Sequence, residues 1–242
     1  MAEELVKFVE TKNLNLKGYT LIEGFPDLGL AGTIGSRFLV DKLKLDQIGY
    51  IDSRLFLPII RVHNGVPLHP VRIYASTKHK IIVVLAEQII DNNAAGPVAT
   101  ALVEWIKKKS IKRVISTSGI RIPNGKEVYA FASNEQSKKV IAEHKIELVG
   151  DAITSGVTAL LMLYLKDNKI EAFCLMGNAK NNADYEAAAA IVKSFCSIIG
   201  ICLDVKPLLV EAKKIEAAIV KQLKTMEATK ESTPDKTPMY TT

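Results

Sequence analysis

Short hydrophobic runs and amphipathic stretches follow one another along the first 205 residues of this chain. Uniformly apolar, β-branched runs are typical of strands buried on both faces, and apolar residues that recur every three to four positions are typical of helices. Predicted strands lie at 19–23, 47–52, 80–85, 113–117 and 170–176, and predicted helices begin near residues 31, 96, 133, 157 and 184. The alternation predicts an α/β fold with a mixed, largely parallel sheet flanked by helices.

The stretch between the second and third predicted strands does not follow this alternation. Two extended runs flank Asn64-Gly65, which is a strong signal for a hairpin turn, and the prolines at 58, 67 and 70 indicate strands near an edge. His63 and His69 lie on either side of the turn and would meet across the hairpin. Two histidines without a nearby acidic third ligand make a weak metal candidate, so no metal site is predicted.

The last forty residues have a different pattern from the rest. A helix with a narrow apolar seam is predicted over 206–227, and the seam would pack either on the domain or on copies of itself. The seam residues are Leu208, Ala212, Ile215, Ile219 and Met226. Residues 228–242 are polar and interrupted by prolines, which predicts a disordered tail. The chain is thus predicted to have three parts: an α/β domain at 1–205, the helix and the tail.

Composition excludes several classes of protein. The net charge is +6, and the one dense basic run, around Lys107–Lys109, lacks interleaved aromatic residues, so a nucleic-acid surface is not predicted. The apolar runs fall short of the roughly 20 residues of a membrane span, and the first residues do not resemble a secretory signal. The three cysteines form no C-x-x-C motif, which predicts buried thiols in a reducing compartment. A cytoplasmic protein without membrane contact is expected.

A glycine-dense turn joins the first buried strand to the first helix, at residues 24–35. It contains neither G-x-G-x-x-G nor Gly-Lys-Ser/Thr, so it lacks the features of a phosphate-binding loop. Glycines at every third position would let the helix begin close to the sheet, which is one interpretation. The other is a helix amino terminus whose free N–H groups are available to an anion or to a carboxylate of a partner.

Candidate catalytic chemistry is sparse. Ser118 and Thr154 follow strand ends, where α/β folds bind ligands, and Glu87 and Asp91 follow the central strand. No pattern places a nucleophile or an electrophile beside them. We therefore predict a protein without catalytic residues or cofactors. The alternative is an enzyme that binds a nucleoside or phosphate in a strand-end pocket near Gly24–Gly35, Ser118 and Thr154.

Several motifs resemble the proteasome-assembly-chaperone family in its archaeal branch, the homologue of the eukaryotic second proteasome assembly chaperone. The opening block of that family resembles Gly24-Phe25-Pro26, Gly29 and Gly32, followed by Phe38-Leu39. Later matches are at 153–161, 186–191, 200–204 and 208–216, so the resemblance spans about 18–223. Two places depart from the family pattern: Asp27-Leu28 in the opening block, and Asn182-Ala183-Asp184, where the family has Pro-Asp-Pro.

This resemblance implies a fold like that of purine nucleoside phosphorylases without their active site, and a homo-oligomer that binds α-subunits of the proteasome core particle. Another assembly chaperone is a further possible partner. Proteasome binders of this kind often end in a hydrophobic residue, tyrosine and any residue, and this peptide inserts between α-subunits. Here Met239, Tyr240, Thr241 and Thr242 form the candidate docking peptide, with the tyrosine third from the end of the sequence.

Overall fold

The structure is a computed structural model that describes residues 5–58 and 60–210. The chain divides into two units after Val205, and the strands and helices named below belong to the first. In the second unit, residues 206–210 are helical and Leu208 is buried. The remaining seam residues, Ala212, Ile215, Ile219 and Met226, lie outside the described residues, as does the tail at 228–242. The predicted seam and tail stay predictions.

Nine strands form one mixed sheet in the order β1-β3-β6-β7-β2-β8-β11-β9-β10, and β4 and β5 form a separate pair, all within the described residues. The strands are β1 (Val6–Glu10), β2 (Thr20–Gly24), β3 (Asp46–Ser53), β4 (Arg61–His63), β5 (Val66–Leu68), β6 (Val71–Ser76), β7 (Ile81–Ala86), β8 (Arg113–Ile120), β9 (Val128–Ala132), β10 (Glu147–Leu148) and β11 (Glu171–Asn178). The central strands β7, β2, β8 and β11 are mutually parallel. The predicted mixed α/β class is confirmed.

Helices cover both faces of this sheet. They are α1 (Ala31–Lys42), α2 (Asn92–Lys108), α3 (Glu135–Glu143), α4 (Gly156–Asp167) and α5 (Tyr185–Ile199). Helices α1 and α5 pack together on the sheet, and α2 packs against α4. An apolar core cluster contains the inward faces of α2 and α4 and alternate residues of the central strands. Burial of these apolar surfaces is the main force that holds the sheet and helices together.

Two predicted helix starts differ from the structure. Helix α2 begins at Asn92 and not at Gly96, because the N–H groups of Ala94 and Ala95 bond the carbonyl of Asp91, and Pro97 falls within the first two turns. Helix α3 is capped by Asn134, whose side chain accepts the Ser137 N–H at 2.8 Å. The Ser133 hydroxyl instead donates to the carbonyl of Ile170, so it bridges to the strand region and does not cap the helix.

Two strands were not predicted, and one thiol was misplaced. Strands β9 and β10 extend the sheet beyond β11, in a region where the sequence analysis placed no strand. Cys174 and Cys196 are buried, but Cys202 is exposed, because it follows the end of α5, where Gly200 turns the chain away with φ 70°. The prediction of three buried thiols was therefore wrong for Cys202.

The carboxyl ends of the central parallel strands define one margin of the sheet, called here the strand-end edge. Strand β3 is antiparallel to β6, which is antiparallel to β7, so β3 also ends at this edge. The β4–β5 pair, called here the arm, lies between β3 and β6 along the chain. It turns at Asn64 and Gly65, with φ of 50° and 77°. Positive φ at both residues is what a two-residue hairpin turn requires, so the predicted hairpin is confirmed.

Candidate functional site

The glycine-dense turn after β2 lies at the centre of the strand-end edge. Phe25 is buried beneath it, and Asp27 begins a short 3₁₀ turn by accepting the Leu28 N–H at 2.7 Å. The second carboxylate oxygen of Asp27 accepts a hydrogen bond from the Ser118 hydroxyl at the end of β8. Asp27, at a position where the sequence departs from the family pattern, therefore fixes the turn to the neighbouring strand.

Close backbone contacts account for two of the motif glycines. A Cβ atom on Gly32 would lie 2.5 Å from Thr117 Oγ1 and 2.8 Å from the carbonyl oxygen of Thr117. Gly29 has φ of 70°, and its carbonyl accepts the Asp184 N–H at 2.7 Å. These contacts let α1 begin directly against β8, as the packing interpretation of the glycines predicts.

Gly119, on β8, allows the same turn to approach the strand closely. A Cβ on Gly119 would collide with the carbonyl oxygen of Leu28, which is backbone and cannot rotate away. We expect Gly119→Ala to lower the free energy of unfolding by about 1–3 kcal/mol, measured by denaturant unfolding. Gly96→Ala, within helix α2, is the matched control, because the added Cβ would meet only Leu160 Cδ1, at 4.0 Å. That control should gain about 0.5–1 kcal/mol, and equal effects of the two changes would contradict the prediction.

A carboxyl group is enclosed beneath this turn. Glu23, at the end of β2, is fully buried. Its carboxylate accepts the Phe25 N–H at 3.0 Å and the Thr158 hydroxyl at 3.1 Å. Burial raises the pKa of Glu23 to about 7, and the bonds from Phe25 and Thr158 only partly offset that effect. A group so enclosed cannot exchange a proton with a substrate at the surface, so we assign it a structural role.

A second carboxylate holds three arginines together. Glu87, just after β7, accepts hydrogen bonds from Arg72 on β6, Arg61 on β4 and Arg37 on α1, the last at 3.0 Å. The side chain of Arg72 is fully buried and also donates to Tyr74 Oη and to the carbonyl of His69, both at 2.6 Å. Because both Glu87 oxygens are occupied by guanidinium groups, Glu87 joins the arm to the body and is not placed to act as a base.

Two cavities open on the other side of the motif turn. One has a volume of about 400 Å³, and its lining includes Asp27, Leu28, Arg121, Asp151 and Ile153. The buried Thr154 hydroxyl, also in this lining, has no hydrogen-bond partner. The other cavity, of about 450 Å³, shares the Arg121–Ile122 segment with the first. A strand-end pocket near Thr154 therefore exists, as the alternative interpretation required.

Other predicted residues are not brought together. His63 contacts the side chain of Asn64, whereas His69 stacks on Tyr50 with ring centroids 3.5 Å apart. In residues 5–58 and 60–210, no three His, Cys, Asp or Glu side chains cluster as metal ligands would. Within the same ranges, no helix has the length and hydropathy needed to cross a bilayer. The candidate docking peptide, Met239 to Thr242, lies outside the described residues.

The second departure from the family pattern also has a structural role. Asp184 caps helix α5 by accepting the Ala187 N–H at 2.9 Å, and its other oxygen accepts the Lys180 N–H at 2.7 Å.

The Arg37–Arg61–Arg72–Glu87 cluster is the main feature that the sequence analysis missed. Only Glu87 was singled out there, and nothing along the chain indicated which cations it binds.

The chain resembles known proteins in its sequence. The model of the PAC2 family matches residues 21–223. An uncharacterized protein of Methanocaldococcus jannaschii is 24% identical over 212 residues, which cover 87% of this chain and 88% of that protein. Together these matches span the described α/β unit almost completely.

Solved structures have the same fold. The crystal structure of Pyrococcus furiosus PbaA, described as an archaeal homolog of proteasome-assembly chaperone, has a TM-score of 0.82 and 27% identity, covering 93% of this chain and 99% of that one. Pyrococcus furiosus PbaB, described as an archaeal proteasome activator, has a TM-score of 0.75 and 19% identity, covering 90% and 99%. At that identity the PbaB likeness is evidence for the fold alone.

Proposed function

The chain belongs to the PAC2 family, and on that premise we propose that it is a proteasome-assembly chaperone or proteasome-binding regulator that acts as a homo-oligomer. The observation that carries the proposal is the family match over residues 21–223, supported by the PbaA likeness at 27% identity. The proposed partners are α-subunits of the proteasome core particle. Another assembly chaperone remains a candidate intermediary, and the cytoplasm is the proposed compartment.

The family is a proteasome-assembly chaperone family and is non-enzymatic. The prediction that the chain is not an enzyme is therefore confirmed, as is the resemblance that rested on the Gly24-Phe25-Pro26 block. The geometry is compatible with this conclusion, because Glu23 is enclosed and Glu87 is saturated by arginines. The alternative of a nucleoside- or phosphate-binding enzyme loses its support, although the pocket it required is present.

The docking element we propose is the Met239–Thr242 peptide. It joins a hydrophobic residue to a tyrosine and follows a polar, proline-containing segment. A homo-oligomer would carry several copies of this peptide. Binding of one peptide then raises the effective concentration of the others, so weak individual contacts gain about 100- to 10,000-fold in overall affinity.

Binding of purified protein to proteasome core particles tests the proposal. We expect a chain ending at Glu227 and the variant Tyr240→Ala to lose about 100-fold or more in apparent affinity, measured by biolayer interferometry on immobilised core particles. Thr233→Ala, within the same tail, is the matched control and should bind as the full chain does.

The outcomes separate the parts of the proposal. If all variants bind as the full chain does, the α/β unit carries the interaction and the tail peptide is incidental. If the full chain fails to bind core particles and isolated α-subunits, direct proteasome binding is refuted. Recovery of core particles from native lysate only together with another chaperone would indicate an indirect role.

A further inference from the structure

The edge of the sheet opposite the strand-end edge carries an excess of positive charge. Strands β2, β3, β7, β8 and β11 all begin at this edge, because they run in the same direction. The connections that lead into them, with their flanking residues, are 10–19, 42–46, 76–80, 107–113 and 166–171. They contain thirteen Lys and Arg residues against four Asp and Glu residues, an excess of nine positive charges in a chain whose net charge is +6. This surface is called here the basic face.

Most of these cations have no carboxylate partner. Three of the thirteen form ion pairs with carboxylates of the basic face itself, and Lys107 donates to Asn168 Oδ1 at 3.0 Å. The other nine are exposed, and none of them forms an ion pair with the residues that the structure describes. These nine are Lys17, Lys42, Lys44, Lys78, Lys80, Lys108, Lys112, Lys166 and Lys169. The excess charge of the basic face is therefore available to a partner.

The basic face is broad, and its segments are bonded to one another. Strands β3 and β11 are five positions apart in the sheet, so the basic face is about 24 Å wide at the usual strand spacing of about 4.8 Å. The Gly18 N–H donates to the carbonyl of Ser110, and the Thr20 N–H donates to the carbonyl of Lys80, both at 3.0 Å. The lysines are thus carried on connected main chain, which reduces the ordering that a partner must impose.

Helix dipoles account for a small part of this charge. Helices α1, α2 and α4 end at this edge, and lysine is favoured near the carboxyl end of a helix. Each such end is equivalent to roughly half a negative charge, so the three helices offset about one and a half of the nine positive charges. Lys17 and Lys78 lie in connections between two strands, where no helix ends. Compensation of helix dipoles therefore does not explain the basic face.

The chemistry of the basic face favours carboxylates over nucleic acid. Twelve of its thirteen cations are lysines, and its one arginine, Arg113, is bonded to Glu171. Arginine binds phosphates and base edges through two parallel hydrogen bonds, whereas lysine acts as a point charge. Tyr19 is the one Phe, Trp or Tyr residue in the five segments, and it is buried, so it is not available to stack on bases. The amino ends of helices, which bind phosphates, belong to the opposite edge for α1, α2 and α4.

The rest of the chain does not supply an acidic partner for this surface. Residues 206–242 contain seven lysines and five acidic residues, so this segment is itself positively charged. At the strand-end edge, Asp27 and Glu87 are already bonded within the chain. The missing carboxylates therefore belong to a different molecule.

We propose that the basic face docks an acidic protein surface through lysine–carboxylate contacts. This contact goes beyond the proposed function, because it lies on the α/β unit and does not involve the tail peptide. A standard protein interface covers about 800 Å² on each partner, which is roughly 28 Å across and matches the width of the basic face. Positive charge spread over such a surface also steers an acidic partner and raises its rate of association.

Neutralising lysines on and off the basic face tests the proposal. The basic-face variant carries Lys17→Gln, Lys78→Gln, Lys80→Gln and Lys112→Gln. The off-face variant carries Lys7→Gln, Lys145→Gln, Lys180→Gln and Lys193→Gln, which are exposed lysines outside the five segments and change the net charge equally. The probe is a labelled oligoglutamate peptide, and fluorescence anisotropy at low salt measures its dissociation constant. We expect the basic-face variant to bind about 10-fold or more weakly, because each exposed pair contributes about two- to fivefold, and the off-face variant less than about twofold.

Four outcomes overturn the proposal. The first is wild-type protein that does not bind the peptide at low salt, and the second is an equal loss in both variants, which would indicate attraction by net charge alone. The third is a DNA duplex that binds the wild type more tightly than about 1 μM at physiological salt and is lost in the basic-face variant, which would assign the surface to nucleic acid. The fourth is a changed oligomeric mass of the basic-face variant in light scattering, which would assign the surface to contacts between copies.

Circular dichroism of both variants verifies that the fold is retained. The peptide experiment involves neither core particles nor the tail peptide. Its failure therefore leaves the proteasome proposal standing, and failure of core-particle binding leaves the basic-face contact standing.

Discussion

Replacing Glu87 by glutamine lowers the free energy of unfolding by about 3–5 kcal/mol, the typical cost of leaving one partner of a buried ion pair without the other. Arg72 has no exposed side-chain surface, so water cannot solvate its charge once the carboxylate is gone. In the wild type, burial acts to lower the pKa of Arg72, but Glu87 and Tyr74 raise it above its ordinary value. An arginine guanidinium is not deprotonated in proteins, so Arg72 remains charged in the variant, without its carboxylate partner. Denaturant unfolding at pH 7 measures the loss.

An exposed ion pair is the control for this prediction. Lys12 and Asp46 lie 2.9 Å apart, with side chains 50% and 73% exposed, and Asp46→Asn should cost less than about 1 kcal/mol. A loss of that small size for Glu87→Gln would show that solvent reaches the arginine cluster. The double change Arg72→Met with Glu87→Leu should recover part of the stability, because apolar side chains of similar volume replace the ion pair without a buried charge.

The second large effect is a dependence of stability on pH that originates at Glu23. Its pKa is about 7 in the folded protein and about 4.5 in the unfolded chain. Between these values the folded protein holds a proton that the unfolded chain has released, so the free energy of unfolding falls as the pH rises. The fall begins near pH 4.5, is complete above about pH 7 and amounts to about 3 kcal/mol.

Glutamine at position 23 isolates this contribution. Glu23→Gln can still accept hydrogen bonds from Phe25 and Thr158 and carries no charge, so it should match wild type near pH 4.5 and exceed it by up to about 3 kcal/mol at pH 8. Urea unfolding at pH 4.5, 6 and 8 gives the difference between variant and wild type, in which other titrating groups cancel. A difference that does not change with pH would refute the assignment to Glu23.

Glu10 provides a control of opposite sign. Partial burial acts to raise the pKa of Glu10, but the hydrogen bonds from Lys109 and Trp105 and the charges of Lys109 and Lys108 together lower it, so the net shift is downward. A lowered pKa contributes stability above the unfolded value and loses it as the pH falls. Glu10→Gln should therefore be less stable than wild type at pH 8, and the difference should shrink toward low pH.

Much of the fold could be predicted because it depends on local pattern. The β-branched run at 80–85 corresponds to β7, whose residues 81–86 are all buried, and the predicted stop at Gly200 coincides with a left-handed residue at the end of α5. Asn64-Gly65 predicted the arm because positive φ at two successive residues is a local requirement. Strand β10 was missed because it has only two residues, whereas β9 (Val128–Ala132) is a run of apolar and aromatic residues typical of a strand, which the sequence analysis overlooked.

The candidate site was only partly predictable. The glycine turn was located correctly, and its interpretation as a packing motif follows from the absence of a phosphate-binding pattern. The bond from Ser118 to Asp27 was not predicted, because the two residues are 91 positions apart in sequence. The docking peptide at Met239–Thr242 and the apolar seam beyond Leu208 remain predictions for binding and oligomer experiments.

By itself, the sequence determined the order of most strands and helices, the family and the position of the motif turn, because periodicity and turn chemistry act over a few residues. Only the tertiary structure decided the environments of the two carboxylates. Glu23 bonds to Thr158, 135 residues away, and Glu87 to Arg37, 50 residues away. Burial and charge pairing depend on which distant segments meet, and no local pattern encodes that. The enclosed acid and the arginine cluster therefore became visible only in the folded chain.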